Sequence, residues 1–157
     1  MGIEPQQKPS IRMSDQEIWD FVRDAHTGVL TTLKRDGSPV SLPTWFALLD
    51  RSIYVRTRGK KLLRIKKNPV SAFLVEDGEL WSELRGVQMN GHAEIIEVSP
   101  ELKRRFQAET ERKYARYRTS TREMPVSSQQ AYSGMTLMCF TPEGKVLNWN
   151  NRGLAIL

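Results

Sequence analysis

The sequence predicts a mainly β domain of the α+β kind, a small antiparallel barrel or sheet of about six or seven short strands with three peripheral helices. Three observations carry this reading. The 157 residues make one domain, and at that length roughly two-thirds of the unfolded chain's surface can be buried. From Val29 onward short β-rich runs recur between turn signals, of which Asp36-Gly37 is the clearest. Strands and helices do not alternate regularly, which disfavours a doubly wound fold.

The elements follow in order. Residues 1–13, with Pro5 and Pro9 and no apolar period, read as a flexible arm ahead of one domain over 14–157. Ser14 and Glu17 form a capping box, and Ile18, Trp19, Phe21 and Val22 give the helix behind it one apolar face, ended by His26-Thr27-Gly28. Val29–Leu33, Val40–Leu49 and Ile53–Thr57 are three strands of a meander, with Pro43 marking an edge or a bulge. Gly59–Asn68 is a short basic helix stopped by Pro69. Val70–Val75 is a fourth strand, and Leu84–Val98 holds one or two more, with Gly91 interrupting. Pro100 starts a charged helix running to Tyr117, and 119–128 is a polar loop. Met135–Thr141 and Lys145–Trp149 form a last hairpin around Pro142-Glu143-Gly144.

Composition excludes several classes. Hydrophobic residues at 39% and charged residues at 27% argue against wholesale disorder, and no apolar stretch approaches the length of a membrane span. No segment has the layout of a secretory signal, and the single Cys139 supports neither a disulfide framework nor a cysteine-rich metal site. The chain reads as cytoplasmic. Its net charge of +6 fits nucleic acid, an anionic surface or a phosphorylated small molecule, so the placement of the charge decides.

The informative segment is Arg56-Thr57-Arg58-Gly59-Lys60-Lys61, followed by Arg64, Lys66 and Lys67. It joins a strand end, a glycine turn and a helix start, where free backbone N–H groups and the positive helix end suit a phosphate. Lys and Arg add charge-assisted hydrogen bonds, and Thr57 offers a hydroxyl. The same residues also suit a solvated basic turn ahead of a helix that packs Leu62, Leu63 and Ile65 inward. A nucleotide-hydrolysing phosphate loop is absent from the sequence.

The ordered set Gly28-Val-Leu-Thr-Thr, Asp36-Gly-x-Pro39, Pro43-Thr-Trp-Phe46, Tyr54-Val-Arg-Thr57, Lys61, Asn68-Pro69 and Gly91-His-Ala-Glu94 resembles the pyridoxamine 5′-phosphate oxidase-like superfamily. The resemblance runs from about residue 14 to residue 150. It implies a split antiparallel β-barrel that binds a flavin or deazaflavin, in many relatives at a homodimer interface. By this resemblance Thr57 and Lys61, with Lys60 and the neighbouring Arg56, hold the cofactor phosphate. Pro43, Thr44, Trp45 and Phe46 lie along the cofactor ring, and Arg85 stands where an Arg-Gln pair approaches it, with Gly86 in the glutamine's place. The helix over 101–117 and the loop after it lie over the cleft, so Tyr117 or Arg118 would touch substrate.

The chain departs from members that oxidise vitamin B6. It lacks their Arg-x-Val-Leu-Leu-Lys strand, having Thr44-Trp-Phe-Ala-Leu-Leu49, and lacks their C-terminal Trp-x-x-x-Arg-Leu pattern. Trp45-Phe46 and the Arg85-Gly-Val strand look like the branch that includes coenzyme F-420-dependent reductases. That coenzyme's polyglutamyl tail would meet Arg58, Arg64, Lys66 and Lys67, whereas FMN needs only the phosphate cluster, so the cofactor is FMN or coenzyme F-420. The implied activity is hydride transfer to or from a small conjugated substrate. A flavin carrier or sensor without turnover is the alternative, and a basic nucleic-acid-binding barrel, supported only by charge, is a remote one.

Other chemistry-bearing residues have plainer readings. No catalytic side chain is identifiable. Tyr54, Tyr114 and Tyr132 are conceivable proton donors, but each also suits half-buried packing. His26 and His92 are isolated and make a poor metal site, so none is expected. Cys139, between Met138 and Phe140, reads as an inert core thiol. The helix over 101–117 pairs its charges at helical spacing, as Glu109 with Lys113 and Glu111 beside Arg112, and reads as a solvated face. Trp19, Trp45, Trp81 and Trp149 are core or dimer-interface candidates, with Trp45 placed nearest the ring.

Overall fold

The computed structural model describes residues 10–131 and 133–154. Among these residues seven antiparallel strands form one curled sheet in the order β2-β1-β5-β6-β7-β4-β3, with four α-helices around it. The strands are β1 (Gly28–Leu33), β2 (Pro39–Thr44), β3 (Ala47–Leu49), β4 (Ser52–Arg56), β5 (Val70–Asp77), β6 (Arg85–Ile96) and β7 (Leu137–Asn150). The helices are α1 (Asp15–Asp24), α2 (Gly59–Lys67), α3 (Pro100–Tyr114) and α4 (Val126–Ala131). Among the described residues, no helix is long and apolar enough to cross a membrane.

The local signals at the start of the chain are realised. Glu17 N–H donates to Ser14 Oγ and Ser14 N–H to Glu17 Oε2, closing the capping box of α1. Gly37 takes φ 83°, the left-handed conformation its turn requires. Of the expected flexible arm, residues 1–9 lie outside the described residues. Residues 10–13 run along the end of β7, where Asn150 N–H donates to the Ile11 carbonyl and Met13 N–H to Asn148 Oδ1.

The single strand expected over Val40–Leu49 is two strands at opposite edges of the sheet, β2 and β3. Only Trp45 and Phe46 separate them, so the chain spans at most about 11 Å between Thr44 and Ala47. Two edges tied so closely must face each other, and that link curls the sheet into a split barrel. Phe46 is fully buried at the split, against Phe73.

The expected last hairpin is also absent. Leu137–Asn150 is one long strand paired with β6: Pro142 and Glu143 pair with Gly91 and Asn90, and Gly144 opens a bulge before pairing resumes at Leu147 opposite Gln88. β6 itself is unbroken. Gly91 does not interrupt it but permits close pairing, because a Cβ there would lie 2.1 Å from the Thr141 carbonyl oxygen. The loop expected over 119–128 contains a 3₁₀ turn (Thr121–Glu123) and the start of α4, and α3 ends at Tyr114 before another 3₁₀ turn (Ala115–Tyr117).

Inward-facing Leu30, Phe73, Val75, Val87, Met89, Val55 and Phe140 fill the barrel, joined by Ile18, Phe21 and Val22 of α1 and Ile65 of α2. The outward positions of β1 and β5 are Val29, Thr31 and Leu33 beside Val70, Ala72 and Leu74. That face is more apolar than the solvated side of an antiparallel sheet.

Candidate functional site

The basic segment singled out in the sequence turns the corner between β4 and α2. Thr57 is 6% exposed, and its N–H donates to the Thr136 carbonyl, continuing the pairing of β4 beyond Arg56. Its hydroxyl has no partner: among the described residues, Thr57 Oγ1 and Lys113 Nζ are the buried side-chain polar atoms without a hydrogen bond. A hydroxyl sealed from water costs stability unless something hydrogen-bonds it. Two residues later α2 begins with Arg58 at its N-cap and no side chain capping the first turn. The N–H groups of that turn and the positive helix end are therefore left for another acceptor. Gly59 makes the corner possible at φ 59°, where a Cβ would be strained.

The surrounding cations are held differently. Lys61 is partly buried; burial, reinforced by the Arg64 charge, pushes its ammonium below the ordinary lysine range. Arg64 Nε donates to Thr32 Oγ1 at 2.8 Å, anchoring α2 against β1. Arg56 reaches the Gly134 carbonyl at 2.8 Å, so the segment ahead of β7 forms one wall of the corner. Lys60 is exposed at the helix start. Unpaired Thr57, desolvated Lys61 and an uncapped helix start make this corner a cradle of hydrogen-bond donors without acceptors.

An aromatic cluster lies at the Trp45 end of the β3–β4 hairpin. β3 and β4 pair with Ala47 opposite Tyr54, so Trp45 and Thr57 leave this hairpin at the same open end. Thr44 Oγ1 donates to the Trp45 carbonyl. The Trp45 ring is 41% exposed and stacks on Tyr114 with centroids 4.3 Å apart and planes 4° apart. His26 stands edge-on to Trp45, Tyr114 and Tyr117, at 5.9, 5.5 and 4.5 Å. Pro43 sits in β2 opposite Val29. Of the two residues expected over the cleft, Tyr117 thus joins the Trp45 cluster, whereas Arg118 is turned to Glu111 at 2.8 Å.

Arg85 does not join the cradle within one chain. It lies opposite Asp77 and Asn150 at the start of β6, whereas Arg56 lies opposite Leu137, which pairs with Ile96 at its far end. Those ends are roughly 36 Å apart along the strand. The Arg85 guanidinium makes two 2.7 Å hydrogen bonds to Asp77 and covers the Phe21 ring at 4.5 Å.

Three residues have a different place from the one the sequence suggested: His26, Lys113 and Tyr114. Lys113 does not pair with Glu109 as helical spacing suggested; Arg112 takes that carboxylate, and Glu111 goes to Arg118 rather than Arg112. The Lys113 ammonium instead lies 3.6 Å from the Phe46 ring centroid, and burial holds its pKa down at about 8. Tyr114, considered as a proton donor, is 1% exposed with burial raising its pKa to about 12, and its hydroxyl serves structure. Tyr54 is likewise raised to about 12 by burial and by Cys139, which lies across the strand pair. Tyr132 lies outside the described residues. The carboxylate that spacing hid from His92 is Glu143, paired with its Nδ1 from the neighbouring strand.

Fold and site together define a split antiparallel barrel with a basic, donor-rich corner and an aromatic shelf at the same hairpin end. Residues 14–144 match the family model described as pyridoxamine 5′-phosphate oxidase, and the chain belongs to this family of split barrels. Among solved structures, the conserved hypothetical protein Rv2991 of Mycobacterium tuberculosis is 30% identical with a TM-score of 0.76, over 97% of this chain and 94% of that one. An FAD-binding protein of Mesorhizobium loti shares the fold at 18% identity and TM-score 0.66, over 88% and 96% of the two chains. The heme storage protein HutZ of Vibrio cholerae does so at 15% identity and TM-score 0.64, over 85% and 92%. No curated protein matches the chain.

Proposed function

We propose that this protein binds FMN or the deazaflavin coenzyme F-420 and uses it as an oxidoreductase, passing hydride to or from a small conjugated substrate. The observation that carries the reading is the buried, unpartnered Thr57 hydroxyl beside desolvated Lys61 at an uncapped helix start. Those features fit a cofactor phosphate. Thr57, Lys61, Lys60 and the first N–H groups of α2 would hold it, and an anion there would offset the cost of burying Lys61. Trp45 leaves the same hairpin end and gives a planar ring an apolar shelf. The FAD-binding protein among the structural relatives supports a flavin-type ligand.

The cofactor would supply the hydride chemistry. This chain's residues would anchor its phosphate, orient its ring along Pro43, Thr44 and Trp45, and keep water from it; Phe46, expected along the ring, is fully buried and supports Trp45 from within the core. Arg58, Lys66 and Lys67 would meet the carboxylate tail of coenzyme F-420 if that is the ligand. Tyr117 borders the shelf and is the substrate-facing side chain of this reading.

A homodimer completes the proposal. Arg85 can reach a cradle only in a second copy, and the apolar outer positions Val29, Leu33, Val70 and Leu74 with exposed Leu80, Trp81 and Leu147 offer a surface for one. We place the protein in the cytoplasm and propose neither a membrane nor a nucleic-acid partner. Many arginines are already paired with carboxylates, among them Arg104 with Glu101 and Arg105 with Asp50.

Titrating purified protein with FMN and separately with coenzyme F-420, by fluorescence, tests the reading. Tight binding of either supports it and selects the cofactor. Binding without turnover of any conjugated acceptor would make the protein a carrier or sensor, and binding of neither would overturn the cofactor reading.

A further inference from the structure

Tyr114 makes contacts that packing alone does not require. Its hydroxyl accepts the Phe46 N–H at 3.0 Å and lies 2.8 Å from the His26 carbonyl and 3.1 Å from that of Phe46. A single hydroxyl proton serves one carbonyl at a time, and the nearer is His26. One atom thus ties the end of α3 to the link between α1 and β1 and to the two-residue link between the facing edges of the barrel. The ring below that hydroxyl is the one on which Trp45 stacks, in nearly parallel planes.

Lys113 holds the same link from the adjacent position. Its ammonium rests on the Phe46 ring and lies 5.2 Å from the Tyr114 ring centroid. Trp45 and Phe46 are consecutive, so fixing the Phe46 backbone and ring limits the directions in which Trp45 can point. An exposed tryptophan between two strands would otherwise sample several rotamers.

We propose that Tyr114, assisted by Lys113, is the positioning residue of the ring shelf: its hydroxyl tether and its stacked ring set the plane that Trp45 offers to a bound ring. The proposal rests on the cofactor reading for its functional meaning, but the geometry it asserts exists without ligand. Tyr114 acts through Trp45 and touches no reacting atom.

The test uses the full chain labelled with 5-fluorotryptophan, whose four tryptophans give separate ¹⁹F resonances. Trp45→Phe assigns the resonance of interest. Without ligand, Tyr114→Phe should shift or broaden the Trp45 resonance and leave Trp19, Trp81 and Trp149 in place. The same variant should bind FMN or coenzyme F-420 about tenfold more weakly, the loss expected for one tethering hydrogen bond, with affinity for inorganic phosphate unchanged. Lys113→Met, which keeps the tether, should give a smaller shift of the same resonance and serves if Tyr114→Phe does not fold. An unmoved Trp45 resonance overturns the proposal whatever the titrations give, and so does a shift of all four together, which marks a global change. If the wild type binds neither cofactor, the cofactor reading fails while the local shift still supports the positioning role.

Discussion

Among the described residues, the two buried side-chain polar atoms without hydrogen bonds, Thr57 Oγ1 and Lys113 Nζ, sit in the chain's two basic stretches and have opposite meanings. At Lys113 the missing hydrogen bonds are compensated in place, because the Phe46 ring faces the ammonium at 3.6 Å and supplies the negative face a cation needs. Among the described residues no hydrogen bond reaches the Thr57 hydroxyl, which stands between Arg56 and Arg58 in the chain, just ahead of an uncapped helix start. The neighbouring charges differ in the same sense. Along α3 the arginines are consumed by carboxylates, as Arg104 by Glu101, Arg105 by Asp50 and Arg112 by Glu109. The first turn of α2 contains no acidic residue. The number of basic residues therefore does not separate the two stretches; what separates them is a buried hydroxyl whose hydrogen bond is unmet, on which the proposed site rests.

Lys61→Ala should break the contrast most deeply. Removing the cradle's half-buried ammonium should weaken cofactor binding by about 1.5–3 kcal/mol, or roughly tenfold to over a hundredfold. Fluorescence titration measures this directly, and an unchanged affinity would show that the anchor lies elsewhere. The fold should survive, because the folded chain gains no carboxylate partner for Lys61 and bears the cost of its burial.

Thr57→Val sharpens the comparison because affinity and stability should move in opposite directions. Valine matches the shape of threonine and removes the orphaned hydroxyl, so the ligand-free chain should gain about 1 kcal/mol in urea unfolding. Cofactor affinity should fall severalfold with the lost contact. If stability falls instead, the hydroxyl has a structural partner and the cradle is misread.

What the sequence could and could not disclose follows the same division between local and distant physics. The capping box at Ser14 and the turn at Gly37 are set by neighbours within three or four residues, and both are present. The Thr57–Lys61 corner was legible because a strand end, a glycine and a helix start are consecutive. The break at Trp45-Phe46 was not, since an apolar run looks the same whether it continues one strand or joins two edges. Tyr114 was hidden for the same reason: its hydrogen bonds reach residues 68 and 88 positions away. Pro142-Glu143-Gly144 looked like a hairpin because a glycine that opens a bulge and one that closes a tight turn leave the same local pattern, and only pairing with β6 decides between them.

Lys113 predicts a pH dependence whose sign is fixed. Its folded pKa of about 8 lies below the ordinary lysine value of 10.5, so between those limits the unfolded chain binds more protons. Stability contributed by this group therefore rises with pH from about 8 toward 10.5. Above about 10 the raised pKa values of Tyr54 and Tyr114 act the other way, so the clean window is pH 8–9.5. Urea midpoints in that window should climb in the wild type more than in Lys113→Met. Equal slopes would mean that Lys113 titrates normally and that its ammonium is not held out of water.

The smallest effect is expected where the charges are most conspicuous. Arg104 makes bonds of 2.7 and 2.9 Å to Glu101, yet the two side chains are 71% and 63% exposed. Water screens such a pair, and holding two long side chains together costs entropy that offsets most of the attraction. Arg104→Ala should thus change unfolding free energy by less than about 0.5 kcal/mol and leave cofactor affinity untouched. A loss of affinity comparable to that of Lys61→Ala would mean that binding follows overall positive charge. The contrast between the two basic stretches would then collapse, and with it the assignment of the site to Thr57 and Lys61.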